Sequence, residues 1–131
     1  MSAAHVRQAA PDYTHAITTL ASLGREAAAW DDLSARAGSP HPFFGRHVMQ
    51  AHLASGLASS DLRVVVVHGP HRLEAVLPFR RSYDICGLGR SVLLPFASPF
   101  ITASAPLVAE GPDRPAILAA LVEGLAAASG G

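Results

Sequence analysis

The chain has 131 residues, half of them apolar, and its ten basic and ten acidic side chains cancel to a formal charge of zero. That is long enough for one domain with a real core and too apolar for a disordered segment. The neutral balance gives no electrostatic case for nucleic acid or an anionic membrane. All ten basic residues are arginine, which excludes a Schiff-base or P-loop lysine.

The opening stretch, MSAAHVRQAAPDY, reads as a flexible lead-in over residues 1–13, with one domain over 14–131. It lacks the basic start and apolar core of a signal peptide. No segment approaches the roughly 18 unbroken apolar residues of a membrane span. Cys86 is the only cysteine, so no internal disulfide can form and a cysteine-based zinc site is not expected. Together these point to a cytoplasmic protein with no membrane span.

His15 to Leu23 is rich in β-branched residues and reads as a first strand. Gly24 to Ala37 reads as a helix, with Trp30, Leu33 and Ala37 on one face and Gly38 placed for a left-handed cap. Ser39-Pro40-His41-Pro42 breaks the chain. A second helix is expected from Phe43 to Leu57, with Met49, Leu53 and Leu57 as its buried stripe.

The clearest signal follows at Asp61 to Ser82. Two apolar runs, Leu62 to Val67 and Leu73 to Phe79, flank a Gly69-Pro70 turn and read as a hairpin. Val64 to Val67 does not alternate with polar residues, so both faces of that strand should be covered. Pro78 donates no ladder hydrogen bond, which predicts an edge position or a bulge for the second strand. A turn over Asp84 to Gly89, short strands at Ser91 to Leu94 and Ala105 to Ala109, and a proline-broken loop from Pro95 to Ser104 come next. The last helix is expected from Arg114 to Ala128, with Asp113 as N-cap and Ile117, Leu121 and Leu125 facing inward.

Several residues could carry chemistry. Gly87-Leu88-Gly89-Arg90 suggests a phosphate loop, but a strand-like SVLLPF follows where a helix is needed, and a plain turn is the better reading. His47 and His52 are five apart and so stand well apart around a helix, while His68 and His71 flank the hairpin turn without an evident third ligand; no metal site is expected. A Ser–His–Asp set has no G-x-S-x-G elbow to announce it, although such sets are recognised by geometry and not by order. Cys86 has an apolar flank and reads as inert. Arg80 and Arg81 should point to opposite faces of their strand and so grip no common ligand. His41, Phe43 and Phe44, with Phe100, are proline-pinned residues suited either to lining an acceptor pocket or to plugging the ends of the sheet.

The order of these pieces carries a resemblance. Trp30 to Leu33 (WDDL), Pro40 to Phe44 (PHPFF), Leu62 to Phe79, and Ala105 to Gly111 (APLVAEG) leading into a helix resemble the amino-terminal half of the CelD/BcsL-type acetyltransferases. These belong to the GNAT superfamily and are associated with cellulose and exopolysaccharide biosynthesis. The resemblance spans about Ile17 to Leu125 and implies an α/β (α+β) fold: a mixed, mostly antiparallel sheet with flanking helices. It implies acyl transfer from acetyl-CoA or another acyl-CoA, with the pyrophosphate held at a helix start by a loop like R/Q-x-x-G-x-G/A. No such loop occurs in this chain. The resemblance therefore implies an incomplete, GNAT-like half that binds no cofactor itself and is inactive alone, with a C-terminal GNAT half as partner. The alternative is a non-catalytic module that self-associates as a homodimer or binds a ligand. Only His41, Phe43, Phe44 and Phe100 stand as substrate-side candidates, and no catalytic base is named.

Overall fold

The computed structural model describes residues 13–38, 43–83, 91–99, 101 and 105–130. In chain order they form β1 (Thr14–Thr19), α1 (Leu20–Gly24), α2 (Ala27–Arg36), α3 (Arg46–Ser55), β2 (Arg63–His68), β3 (Leu73–Tyr83), β4 (Ser91–Pro95), β5 (Leu107–Val108) and α4 (Arg114–Gly130). This is a mixed α+β fold on an antiparallel sheet. The strands run β1-β2-β3-β4, and β5 also pairs with β3.

The stretch expected as one strand from His15 to Leu23 is a strand followed by a helix. The β-branched THAITT is extended, and the Oγ1 of Thr19 accepts the backbone N–H of Ser22 at 3.2 Å, capping α1. Trp30, Leu33 and Ala37 are all buried, and Gly38 takes the left-handed conformation with φ 66°. The buried stripe of α3 departs from expectation. The helix ends at Ser55, Gly56 turns left-handed at φ 79°, and Leu57 is exposed beyond it. The buried face carries the expected Met49 together with His52, and Leu53 packs partly buried beside them.

Val64 to Val67 are buried without exception, as their unbroken run demands. The cover differs on the two faces. α4 crosses one face and touches every strand, while α2 packs on β3 and β5. A Cβ added to Gly124 of α4 would stand 2.6 Å from Cγ2 of Val65 and 3.0 Å from Cβ of His15. Val65 therefore faces α4, and so does its cross-strand partner Leu77. Val64, Val66, Val76 and Pro78 alternate to the other face.

Pro78 corrects the expectation of an edge strand. β3 is central, pairing with β2 on one side and with β4 and β5 on the other, and its register shift lies near Glu74 and not at the proline. The carbonyl of Pro78 accepts the N–H of Phe96 at 2.8 Å, so its donor-less nitrogen faces the β4 side. There the ladder needs a return bond that proline cannot give. β4 ends at Pro95 opposite Phe79, and β5 resumes the same track at Leu107 opposite Val76. The regular ladder thus stops beside the one residue unable to complete it.

The close approach of α4 generates a stability prediction. Gly124→Ala should gain about 1 kcal/mol of helix propensity. The β-branched Val65 cannot swing away, and overpacking costs about 1–3 kcal/mol. The substitution should therefore lower the melting temperature. A rise would show that α4 stands off the sheet.

Candidate functional site

Three features of the fold bring chemistry-bearing groups together. The first lies where the β3 bulge meets the start of α4. Between Val67/Ala75 and His68/Leu73 the register shifts, leaving Glu74 as the extra residue of β3. Glu74 is only 8% exposed, and its carboxylate is satisfied by Arg36 of α2. The Arg36 Nη1 donates to Glu74 Oε1 at 2.6 Å, Nη2 to the Leu73 carbonyl at 2.5 Å, and Nε to Asp32 at 2.8 Å. Burial works against the charge of Arg36, but the hydrogen bonds to Glu74 and Asp32 outweigh it and raise its pKa above the ordinary value. The main chain closes the same corner: Ala109 N–H donates to the Glu74 carbonyl and Glu110 N–H to the Arg36 carbonyl.

Beside this pair, the Tyr13 hydroxyl donates to Asp113 at 2.8 Å. Asp113 stands at the start of α4, where its carbonyl accepts from Ile117. Desolvation, then the hydrogen bond to Asp113, push the Tyr13 phenol up to about 12. Tyr13, expected at the end of a flexible lead-in, is thus tied to the domain. A cavity of about 240 Å3 opens here, lined among others by Arg36, Arg72, Arg114, Glu74, Glu110 and Asp113. Its charges offset one another, and Arg36 is already committed, so the corner reads as a self-neutralised joint between α2, β3 and α4.

The second feature was missed by spacing arguments. His52 is 4% exposed on the inner face of α3. Its Nδ1 lies 2.8 Å from the Val48 carbonyl and its Nε2 lies 2.7 Å from Ser98 Oγ. A carbonyl can only accept, so the Nδ1 carries the proton and, in the neutral ring, the Nε2 accepts from the serine hydroxyl. Phe96 meets the imidazole edge-on, with centroids 5.7 Å apart at 80°. His52 follows Met49 by three on the buried face, which marks it as inward-facing. Nothing in the sequence ties it to a serine 46 positions away.

The third feature is apolar. A groove of about 420 Å3 runs between β4 and the second half of α4, with Leu77, Phe79 and Leu125 in its lining. Around it Val92 is 51% exposed, Leu94 39% and Val122 62%. β4 pairs with β3 on one side, and among the described residues no strand pairs with its other side.

The proposed acceptor-pocket residues fall in different places. Phe44 is fully buried, and its carbonyl accepts the Trp30 indole N–H at 2.9 Å, tying the entry of α3 to α2. Phe43 is partly buried against the core. His41 and Phe100 lie outside the described residues, as do Cys86 and the turn from Gly87 to Arg90. Arg81 donates to the Ala128 carbonyl at 2.7 Å, on the α4 face. Arg46 forks onto Asp31 at 2.7–3.0 Å, and that hydrogen bonding holds Asp31 below the usual carboxylate range. Among the described residues, no three His, Cys, Asp or Glu side chains gather as metal ligands. No described helix is long and apolar enough to cross a membrane. No family model, curated protein or solved structure matches the chain.

Two measurements probe the charged corner. Glu74→Leu should cost about 2 kcal/mol in urea unfolding, since it leaves Arg36 without its inner partner. Adding Arg36→Met should then cost about 1 kcal/mol less than the sum of the two single losses. Strict additivity would show that the pair is uncoupled. For Tyr13, the folded chain holds the phenolic proton more tightly than the unfolded chain, where it titrates near 10.0. The associated stability is complete below pH 10 and is lost as pH rises toward about 12. The tyrosinate absorbance should include a step near 12 that Tyr13→Phe removes; a wild type lacking that step would contradict the geometry.

Proposed function

We propose that this chain is the N-terminal portion of an acyl-CoA-dependent, GNAT-like acyltransferase, contributing sheet and scaffold and holding no acyl-CoA by itself. The observation that carries this reading is the contrast between the two sheet edges. β1, at one end, is mostly polar (Thr14, His15, Thr18, Thr19). β4, at the other, presents Val92 and Leu94 to solvent beside an apolar groove. Natural sheets blunt their free edges with charge, and an edge left apolar favours an added strand. Burying three half-exposed side chains there is worth about 1 kcal/mol each. That is too little to hold a partner alone, and main-chain bonds along β4 supply the rest.

The start of α4 supports the second half of the proposal. A pyrophosphate at a helix start needs open N–H groups and no competing negative charge. Here the first turn carries Pro115, which has no N–H, and Asp113 sets a carboxylate at the same point. A role in polysaccharide biosynthesis and a cytoplasmic location belong to the same reading, through the resemblance and the single cysteine.

Calorimetric titration of the chain with acetyl-CoA should give no saturable heat up to about 1 mM, a limit of about 4 kcal/mol in binding energy. Micromolar binding would overturn the proposal. Light scattering adds a second arm. A monomer whose apolar β4 edge stays open fits a half awaiting a different chain. A dimer abolished by Leu94→Asp would instead assign the edge to a second copy and favour a self-associating module.

A further inference from the structure

The pairing of Ser98 with His52 is not needed by the acyltransferase reading. From it we infer that Ser98 is a nucleophile, activated by His52, that accepts an acyl group from small activated esters or thioesters.

The parts are those of an activated hydroxyl. Ser98 opens a tight turn in which its carbonyl accepts from Ile101 N–H at 3.1 Å, with Pro99 at the position where a fixed φ is favourable. The turn sets the hydroxyl over the imidazole at 2.7 Å, within general-base reach. The Val48 carbonyl takes the place of an orienting carboxylate, fixing the ring so that Nε2 faces the serine. The ring is 4% exposed, so it cannot rotate freely into solvent, while Ser98 itself is only partly buried and can meet a reactant. Because a carbonyl bears no full charge, the imidazolium formed in the step is less stabilised than beside a carboxylate, and Ser98 should be a slow nucleophile.

The step balances without any further reactant. As the Oγ–carbon bond forms, the hydroxyl proton passes to His52 Nε2 and the carbonyl π pair moves onto oxygen. Collapse of the tetrahedral adduct expels the alkoxide or thiolate, which leaves with the proton from Nε2. The acyl group remains as an ester on Ser98 until water or an acceptor hydroxyl removes it by the reverse proton path.

The test uses the whole chain and a fluorophosphonate probe, which loses fluoride as it bonds to an activated serine. Mass spectrometry of the peptide Ser91–Gly131, released by cleavage after Arg90 because Pro115 blocks cleavage at Arg114, reads the site, with Ser91 and Ser104 as internal controls. One adduct at Ser98, absent in Ser98→Ala and formed about a hundredfold more slowly in His52→Met, is the expected result. Should the buried His52 variant fail to fold, the wild type in urea replaces it, since unfolding separates the pair and must abolish the selectivity. A burst of p-nitrophenolate from p-nitrophenyl acetate, equal to one acyl group per chain, is the parallel readout. A serine that only ties its loop to α3 gives no adduct, or equal adducts at the three serines in folded and unfolded chain, and either outcome overturns the inference. Neither outcome touches the acetyl-CoA result, so the two proposals fail separately.

Discussion

Strand β3 is hydrogen-bonded to neighbours on both sides, and Pro78 is its one residue with no N–H to contribute. The missing donor faces away from β2, so the β2–β3 ladder is intact there and carries the core of the molecule. On the opposite side the ladder cannot close, and the chain divides the work between β4 and β5, which lie end to end along β3. The stretch released between them carries Phe96 and Ser98 down to α3, where they meet His52. A single backbone deficit in the central strand thus gives a loop its place and brings together two groups that no local rule would pair.

Covering a strand pair that is apolar on both faces is the second constraint. Val64 to Val67 and Leu73 to Phe79 are buried throughout, so helices must lie on both sides of them. On one side α4 comes so close that only glycine fits at position 124. On the other, α2 is fastened by directional bonds: Trp30 to the Phe44 carbonyl, and Arg36 to Glu74 and the Leu73 carbonyl. The charged groups near the core are spent on such fastenings. The cavity at the start of α4 sets three arginines against three carboxylates, so its charges offset one another.

The cover stops short at β4. Val92 and Leu94 stay largely exposed along the groove that β4 forms with α4, and Leu93 and Pro95 line the same groove. The β4 edge is thus left apolar while β1 is mostly polar, and it is this contrast on which the proposed partner half rests.

The elements whose cause is local were legible in the residues alone. The hairpin came from two apolar runs around a glycine-proline turn, the buried valines from their lack of alternation, the end of α2 from Gly38, and the inner face of α4 from the spacing of Ile117 and Leu121. Each of these depends on neighbours within a turn or two. Pro78 shows where local inference stops. The missing donor is visible in the sequence, but whether it lies at an edge or faces a gap between two collinear strands depends on what pairs with β3, and that is a tertiary fact. The same holds for the burial of Phe44, whose carbonyl is claimed by Trp30, and for Glu74, whose burial is permitted only because Arg36 arrives from another element. The Ser98–His52 contact is the extreme case: the residue types carried no spacing signal, and only the packing of α3 against the loop after β4 placed one hydroxyl on one imidazole nitrogen.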